Sequence, residues 1–310
     1  MPLHPLFADR LDVFADENLD FGQKLEIFNA PLTDYVSPAI HTTDITVVSP
    51  EAEIPVRVYR PEGNTATLPA LLWFHGGGFT EGGLWQNESD VVAREIADRT
   101  PMVVVAVDYR LCNDGVLFPA PQEDGLATLK WLLENATELG IDASKIFVGG
   151  ISAGGALSAA LAVQQRDLGL NAVTGVLLSC PLLHHTLPPY SEELQSKLEE
   201  VNGFGIGREM VEGLNKYLTN DNIAGAPRWW FAGEVEDHTG YPATQIINCE
   251  YDALRSSGEK FAEQLAAAGV DVEVSFEPGT PHAHINRYPQ DCEPMDRTLN
   301  SMAAFIHARI

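Results

Sequence analysis

Short apolar runs and segments of helical period take turns along most of this chain. Ala70 to Phe74, Met102 to Val107, Ile146 to Val148, Val173 to Leu178 and Thr244 to Cys249 are continuous apolar runs. Such runs are expected of strands buried on both faces. Upstream, Ile45 to Val48 and Val56 to Tyr59 are β-rich and flank Ser49-Pro50-Glu51-Ala52-Glu53, which reads as a hairpin turn. Val272, Val274 and Phe276 alternate as one more strand. Between these lie helical signals. Val91 to Ala97 is helix-like, Leu126, Leu129, Leu133 and Ala136 recur at helical spacing, and Ala156 to Leu168 is rich in Ala and Leu and stops near Gly169. Ser256 with Glu259 fits a capping box for a helix closing at Gly269, and Met295 to Ala308 reads as the last helix. Strands alternating with helices predict an α/β fold: a mostly parallel sheet covered on both faces.

Two stretches break the alternation. Residues 1–43 are acidic and helix-leaning, with Leu11, Phe14, Leu19, Leu25 and Phe28 as scattered anchors and Pro31 and Pro38 as interruptions. They read as a helical arm rather than core. In residues 184–241, Leu198, Val201, Phe204, Met210, Val211, Leu214, Tyr217 and Leu218 suggest two or so helices, followed by Trp229-Trp230-Phe231. This stretch is too long for a plain connection and reads as an inserted subdomain. The core is then 44–183 together with 242–310.

Composition adds exclusions. A chain of 310 residues that is 45% hydrophobic suits one large α/β domain with a subdomain. The net charge of -25 argues against nucleic acid and anionic membrane surfaces, which need positive potential. Cys112, Cys180, Cys249 and Cys292 form no C-x-x-C pair, and Cys180 and Cys249 sit in apolar runs that read as buried free thiols. The first twenty residues carry no signal-peptide pattern, and no apolar stretch is long enough to span a bilayer, so a cytoplasmic protein is expected.

Chemistry concentrates after three of the strands. Gly150-Ile151-Ser152-Ala153-Gly154 follows the run ending at Val148 and precedes a helix, the context in which G-x-S-x-G reads as a nucleophile elbow. A hydroxyl attacks only if the turn thrusts it clear of its own backbone, and a Cβ at position 150 or 154 would crowd the neighbouring elements. Asp252 follows the strand ending at Cys249, and His282 with His284 follows the strand of Phe276. The order Ser, Asp, His is the one α/β-hydrolases use. A serine hydroxyl needs an imidazole to take its proton, and the imidazole needs a carboxylate to hold its tautomer. Asp252 has an alternative role as a helix cap, and His284 competes with His282. His184 and His185 are adjacent and invite a metal, but neighbours usually point apart, so no metal site is expected there. His75-Gly76-Gly77-Gly78-Phe79 follows a central strand. Its glycines let the amides of Gly77 and Gly78, with that of Ala153, face a developing oxyanion. A phosphate-binding loop is the rival, but no Lys-Ser/Thr follows and no G-x-G-x-x-G frame is present. Trp85, Ile151, Trp229 and Trp230 are candidate pocket residues; Trp85 is equally open to a packing role, and Trp229 and Trp230 with Phe231 read first as an aromatic knot in the core of the inserted subdomain.

Taken together, the chain resembles the hormone-sensitive-lipase-like group of α/β-hydrolases, the microbial carboxylesterases. The motifs are His75-Gly76-Gly77-Gly78-Phe79, Asp108-Tyr109-Arg110-Leu111, Phe118-Pro119-Ala120-Pro121 with Glu123-Asp124, Gly150-Ile151-Ser152-Ala153-Gly154-Gly155, Tyr251-Asp252-Ala253-Leu254-Arg255 and Gly279-Thr280-Pro281-His282. They span residue 45 or so to the C-terminus. The resemblance implies an α/β-hydrolase fold with an eight-stranded sheet and a helical cap built from the arm and the insertion. It implies a serine carboxylesterase that needs no metal or cofactor, acts on short acyl esters and is often a homodimer. It selects His282 over His284 through the Gly279-x-x-His282 spacing. It places Ser152, Asp252 and His282 in the triad and the glycine run at the oxyanion hole. Ile151 departs from the Asp or Thr of many members, Cys112-Asn113-Asp114-Gly115 from the usual Ala-Pro-Glu, and His282-Ala283-His284 from His-Gly-Phe. These touch pocket shape and pH profile, not the triad. An amidase or lactonase shares the chemistry through acylation, since leaving-group preference lives in the cap. A non-catalytic receptor on this fold, as in the gibberellin receptors that resemble the family, would lack the working histidine that stands here at 282.

Overall fold

A computed structural model describes residues 2–201 and 205–310. Its centre is one sheet of eight strands: β1 (Ile40–Val48), β2 (Glu53–Pro61), β3 (Leu68–Phe74), β4 (Val103–Val107), β5 (Ile141–Ile151), β6 (Val173–Ser179), β7 (Ala243–Tyr251) and β8 (Val272–Pro281). Their spatial order is β1-β2-β4-β3-β5-β6-β7-β8. The β1–β2 and β2–β4 pairs are antiparallel, and every later pair is parallel. This is the eight-stranded, mostly parallel sheet that the α/β-hydrolase resemblance implies.

The apolar runs behave as two-faced strands. Ala70, Leu72 and Phe74 of β3, with Val103, Val105 and Val107 of β4, enter one core; Leu71, Trp73, Val104 and Ala106 enter the other. The helices divide accordingly. Helices α1 (Pro5–Ala8) and α2 (Phe21–Asn29) belong to the arm, and α3 (Asn87–Arg99) and α4 (Ala120–Glu134) flank β4 in sequence. Next come α5 (Ala153–Asp167), α6 (Glu192–Glu200), α7 (Arg208–Leu218), α8 (Arg255–Ala267) and α9 (Glu293–His307). Leu129, Leu157, Leu161 and Phe261 bring α4, α5 and α8 to the first core, while Val92, Ile96, Leu299 and Phe305 bring α3 and α9 to the second. Each face of the sheet thus gets its own apolar cover.

Three expectations need correction. The arm is not outside the core, because Phe7 and Phe28 are fully or almost fully buried in the second cluster. The Arg287 guanidinium lies over both rings, 4.9 and 5.3 Å from their centroids, and donates to Phe28 O. Residues 40–43 already belong to β1. The capping box at Ser256 is absent: α8 starts one residue earlier, Ser256 Oγ bonds Ala253 O, and Glu259 pairs with Arg255. Residues 278–281 continue β8, since the register shifts after Cys249 and Pro281 pairs with Tyr251. Gly279, at φ 69°, supplies the backbone for that shift. Phe204 lies outside the described residues, as does the side chain of Leu25.

In the inserted stretch, α6 and α7 are followed by three short 3-10 turns, at Ile223–Gly225, Arg228–Trp230 and Ala232–Glu234. No helix among the described residues is long and apolar enough to cross a membrane.

The tightest packing in the fold is between backbones. A Cβ on Gly150 would lie 2.6 Å from Phe74 O, and one on Gly154 would collide with the carbonyl oxygens of Phe74 and His75. Gly154→Ala should therefore cost about 1–3 kcal/mol of stability, read from urea unfolding. A loss below about 0.5 kcal/mol, the surface range, would contradict this packing.

Candidate active site

Ser152 sits between β5 and α5 at φ 53°, a left-handed conformation for a residue with a side chain. Such a conformation costs on the order of 1–3 kcal/mol and persists only where its surroundings hold it. Here Ser152 N donates to Ser179 O at 2.9 Å, and Ser152 O accepts from Ala156 N at 3.0 Å. The side chain is left free to meet another group.

That group is His282, which follows the last residue of β8. Its Nε2 lies 3.0 Å from Ser152 Oγ, and its Nδ1 lies 2.6 Å from Asp252 Oδ2. A carboxylate only accepts, so Nδ1 carries the proton and Nε2 is the acceptor facing the serine. Asp252 is 1% exposed. Its other oxygen, Oδ1, accepts from Leu254 N at 3.0 Å. Asp252 is not the cap of α8, which is Leu254; one of its oxygens bonds the turn before that helix and the other bonds the imidazole. Burial pushes the His282 pKa down, while the bonded Asp252 carboxylate, with Cys180 beside it, pushes it up.

His284 is taken elsewhere. Its Nδ1 meets Cys249 Sγ at 3.2 Å and its Nε2 meets Thr298 Oγ1 at 2.7 Å. Burial lowers its pKa to about 4, so the ring stays neutral. His184 and His185 point apart: His184 Nδ1 lies 2.8 Å from Ser257 Oγ, and His185 Nε2 lies 3.5 Å from Glu234.

Two glycines shape the facing loop. Gly77 and Gly78 have φ of 95° and 61°, and among the described residues neither their amides nor that of Ala153 donates to a protein acceptor. The loop is fastened from behind. Tyr109 Oη donates to His75 O at 3.0 Å and to Gly76 O at 3.1 Å, and its ring stacks on His75 at 4.3 Å. Burial lowers the His75 pKa to about 4, so its ring adds no charge to the site. Arg110 in turn bonds the buried Asp124 through Nε at 2.9 Å, which fixes this segment to α4.

The remaining candidates fall in different places. Ile151 is fully buried in the second core cluster with Cys180 and Cys249, behind the triad. Trp85 is 77% exposed, with its indole against Gly83. Trp230 stands edge-on to Phe118 at 5.6 Å, and Phe118 meets Phe79 of the glycine loop at 4.9 Å. Trp229 packs edge-on to Trp230 at 6.2 Å. An aromatic row thus joins the inserted stretch to the loop.

Sequence reasoning missed two neighbours of the triad. Cys180, Asp252 and His282 offer ligand atoms within 4.8 Å of one another, a potential metal cluster among the described residues. Asp252 and His282 are already bonded to each other, and burial pushes the Cys180 thiol pKa up, away from the thiolate that binds metals. Glu88, on the first turn of α3, is 4% exposed and accepts from Gly76 N at 2.7 Å. Its position three and four residues before the buried Val91 and Val92 was the available signal; the helix was read as starting only at Val91.

The arrangement can deprotonate a hydroxyl and stabilise an anion beside it. A titration of His282 followed by NMR should give a pKa above that of a free imidazole, and Asp252→Asn should bring it down. An unshifted His282 in the unmodified protein would contradict the assigned charge pairing.

Comparison with known proteins gives the family of the chain. The family model of the alpha/beta hydrolase fold matches residues 71–286. Carboxylesterase NlhH of Mycobacterium tuberculosis is 35% identical over 276 residues, covering 83% of this chain and 80% of that protein. The arylesterase of Saccharolobus solfataricus is 28% identical over 294 residues, covering 92% and 93%. The solved hyperthermophilic esterase from the archeon Pyrobaculum calidifontis superposes with a TM-score of 0.84 at 30% identity and covers 99% of each chain.

Proposed function

The chain belongs to the α/β-hydrolase family, among its hormone-sensitive-lipase-like carboxylesterases, and from this we propose that it is a serine carboxylesterase working through Ser152. The observation that carries the reading is the relay Ser152–His282–Asp252, with contacts of 3.0 and 2.6 Å. His282 Nε2 takes the proton of Ser152 Oγ as Oγ attacks the ester carbonyl carbon. The carbonyl oxygen becomes an oxyanion, held by the amides of Gly77, Gly78 and Ala153. Collapse breaks the bond to the alcohol oxygen, which leaves with the proton returned by His282. Water then gives a proton to His282 as its oxygen attacks the acyl carbon; collapse of this second oxyanion breaks the bond to Ser152 Oγ, which takes the proton back from His282 as the acid leaves. Asp252 orients the neutral ring and stabilises the imidazolium each time it forms.

The substrate reading is coarser than the reaction. A small-molecule ester with a short acyl chain fits an aromatic row standing close to the glycine loop. We assign the cap to the arm and to 184–241: a Cβ on Gly78 would lie 3.7 Å from Leu214 of α7, so this stretch overhangs the loop. In this reading Trp229 and Trp230 line the cap side, Ile151 backs the site, and Trp85 stands at its rim. Four buried, unpaired cysteines support a reducing, cytoplasmic setting. A homodimer is supported by the edge strand β8, which leaves Val274 and Phe276 exposed.

Ser152→Ala should abolish the acylation burst with p-nitrophenyl acetate and cut turnover by at least about 10⁴-fold. Retained turnover in that variant would sink the reading. Across p-nitrophenyl esters, acetate and butyrate should be hydrolysed faster than laurate; the reverse order would refute the short-chain pocket.

A further inference from the structure

Several buried carboxylates lie outside the triad, and one of them, Glu88, touches the glycine loop. Glu88 Oε1 accepts from Gly76 N at 2.7 Å. A Cβ on Gly76 would stand 2.6 Å from that oxygen, so the approach is close. The backbone of Glu88 is tied on two further sides. Its carbonyl accepts from the Trp73 indole N–H at 2.8 Å. Its amide donates to Asn286 Oδ1 at 3.3 Å, and Asn286 N closes the turn after His282 by bonding Ala283 O at 3.0 Å. One residue therefore joins β3, the loop that leaves it and the loop that carries His282.

Glycines cannot anchor a loop through side chains, and their backbone freedom works against a fixed aim. The peptide planes here are pinned from outside. His75 O and Gly76 O both accept from Tyr109 Oη, and Gly76 N donates to Glu88. These contacts fix the 75–76 plane from both its carbonyl and its amide, and the 76–77 plane from its carbonyl. The 76–77 plane contains the Gly77 N–H.

We propose that Glu88 is a positioning residue for the oxyanion hole: by holding Gly76 N–H it keeps Gly77 N–H aimed at the oxyanion, and it locks that loop to the loop of His282. This role rests on the esterase reading of the site. A preorganised donor counts mainly in the transition state, so losing its aim should lower kcat more than it changes KM.

The test compares Glu88→Ala, Glu88→Gln and Glu88→Asp on p-nitrophenyl acetate, with a trifluoromethyl ketone as probe of the tetrahedral adduct. Glu88→Ala should lower kcat by about 10- to 100-fold with KM within about 2-fold, and ketone affinity should fall by a similar factor. Glu88→Gln keeps an acceptor of the same length and should recover most of both. Glu88→Asp keeps the charge but withdraws the oxygen, and should resemble Ala; it serves as the informative variant if Ala does not fold. Near-normal kcat in Ala or Asp would overturn the role. So would a kcat loss that leaves ketone affinity unchanged, or one that Gln does not relieve. A burst in the unmodified enzyme that depends on Ser152 secures the esterase reading whichever way these variants fall.

Discussion

The site depends on a close approach of two stretches of backbone. The turn at Ser152 can lie against the end of β3 only because positions 150 and 154 carry no side chain where the carbonyls of Phe74 and His75 stand. The same contact sets the glycine loop, which starts at residue 76, beside the elbow. Close packing leaves no room for adjustment at such a point, since displaced backbone would unpair neighbouring strands as well. The left-handed φ of Ser152 is held by the hydrogen bonds that pair this turn with β6 and α5.

Around that contact, several buried polar groups have specific partners. Asp252 divides its two oxygens between the start of α8 and His282. Tyr109 and Glu88 hold the glycine loop by its carbonyls and by an amide. His284 and His75 are kept neutral by burial, so they do not compete with His282 for charge. The imidazole at 282 is hydrogen-bonded to the Asp252 carboxylate at 2.6 Å, and it faces the serine.

Much of this was readable from residue pattern. Continuous apolar runs identified the central strands because both sheet faces are covered, and the small-residue turn at 150–154 marked the elbow because few other side chains fit there. The misses have physical causes. Ser256 and Glu259 have the spacing of a capping box, but α8 begins earlier because the turn at Asp252 already satisfies its first amides. Phe7 and Phe28 lie in an acidic, proline-broken stretch, and nothing local says that Arg287 will cover both rings. Glu88 looks like any acidic residue on a first helical turn until its partner Gly76, twelve residues away, is known.

The linear order of residues determined the class of fold, the nucleophile and the type of its partners, because periodicity and turn chemistry are local properties. The Gly279-x-x-His282 spacing already favoured His282; tertiary structure brought that ring to the serine, gave Asp252 its two hydrogen bonds and brought Glu88 to the glycine loop. Those choices turn on distances between residues as far as 130 positions apart in the chain, which no local pattern encodes.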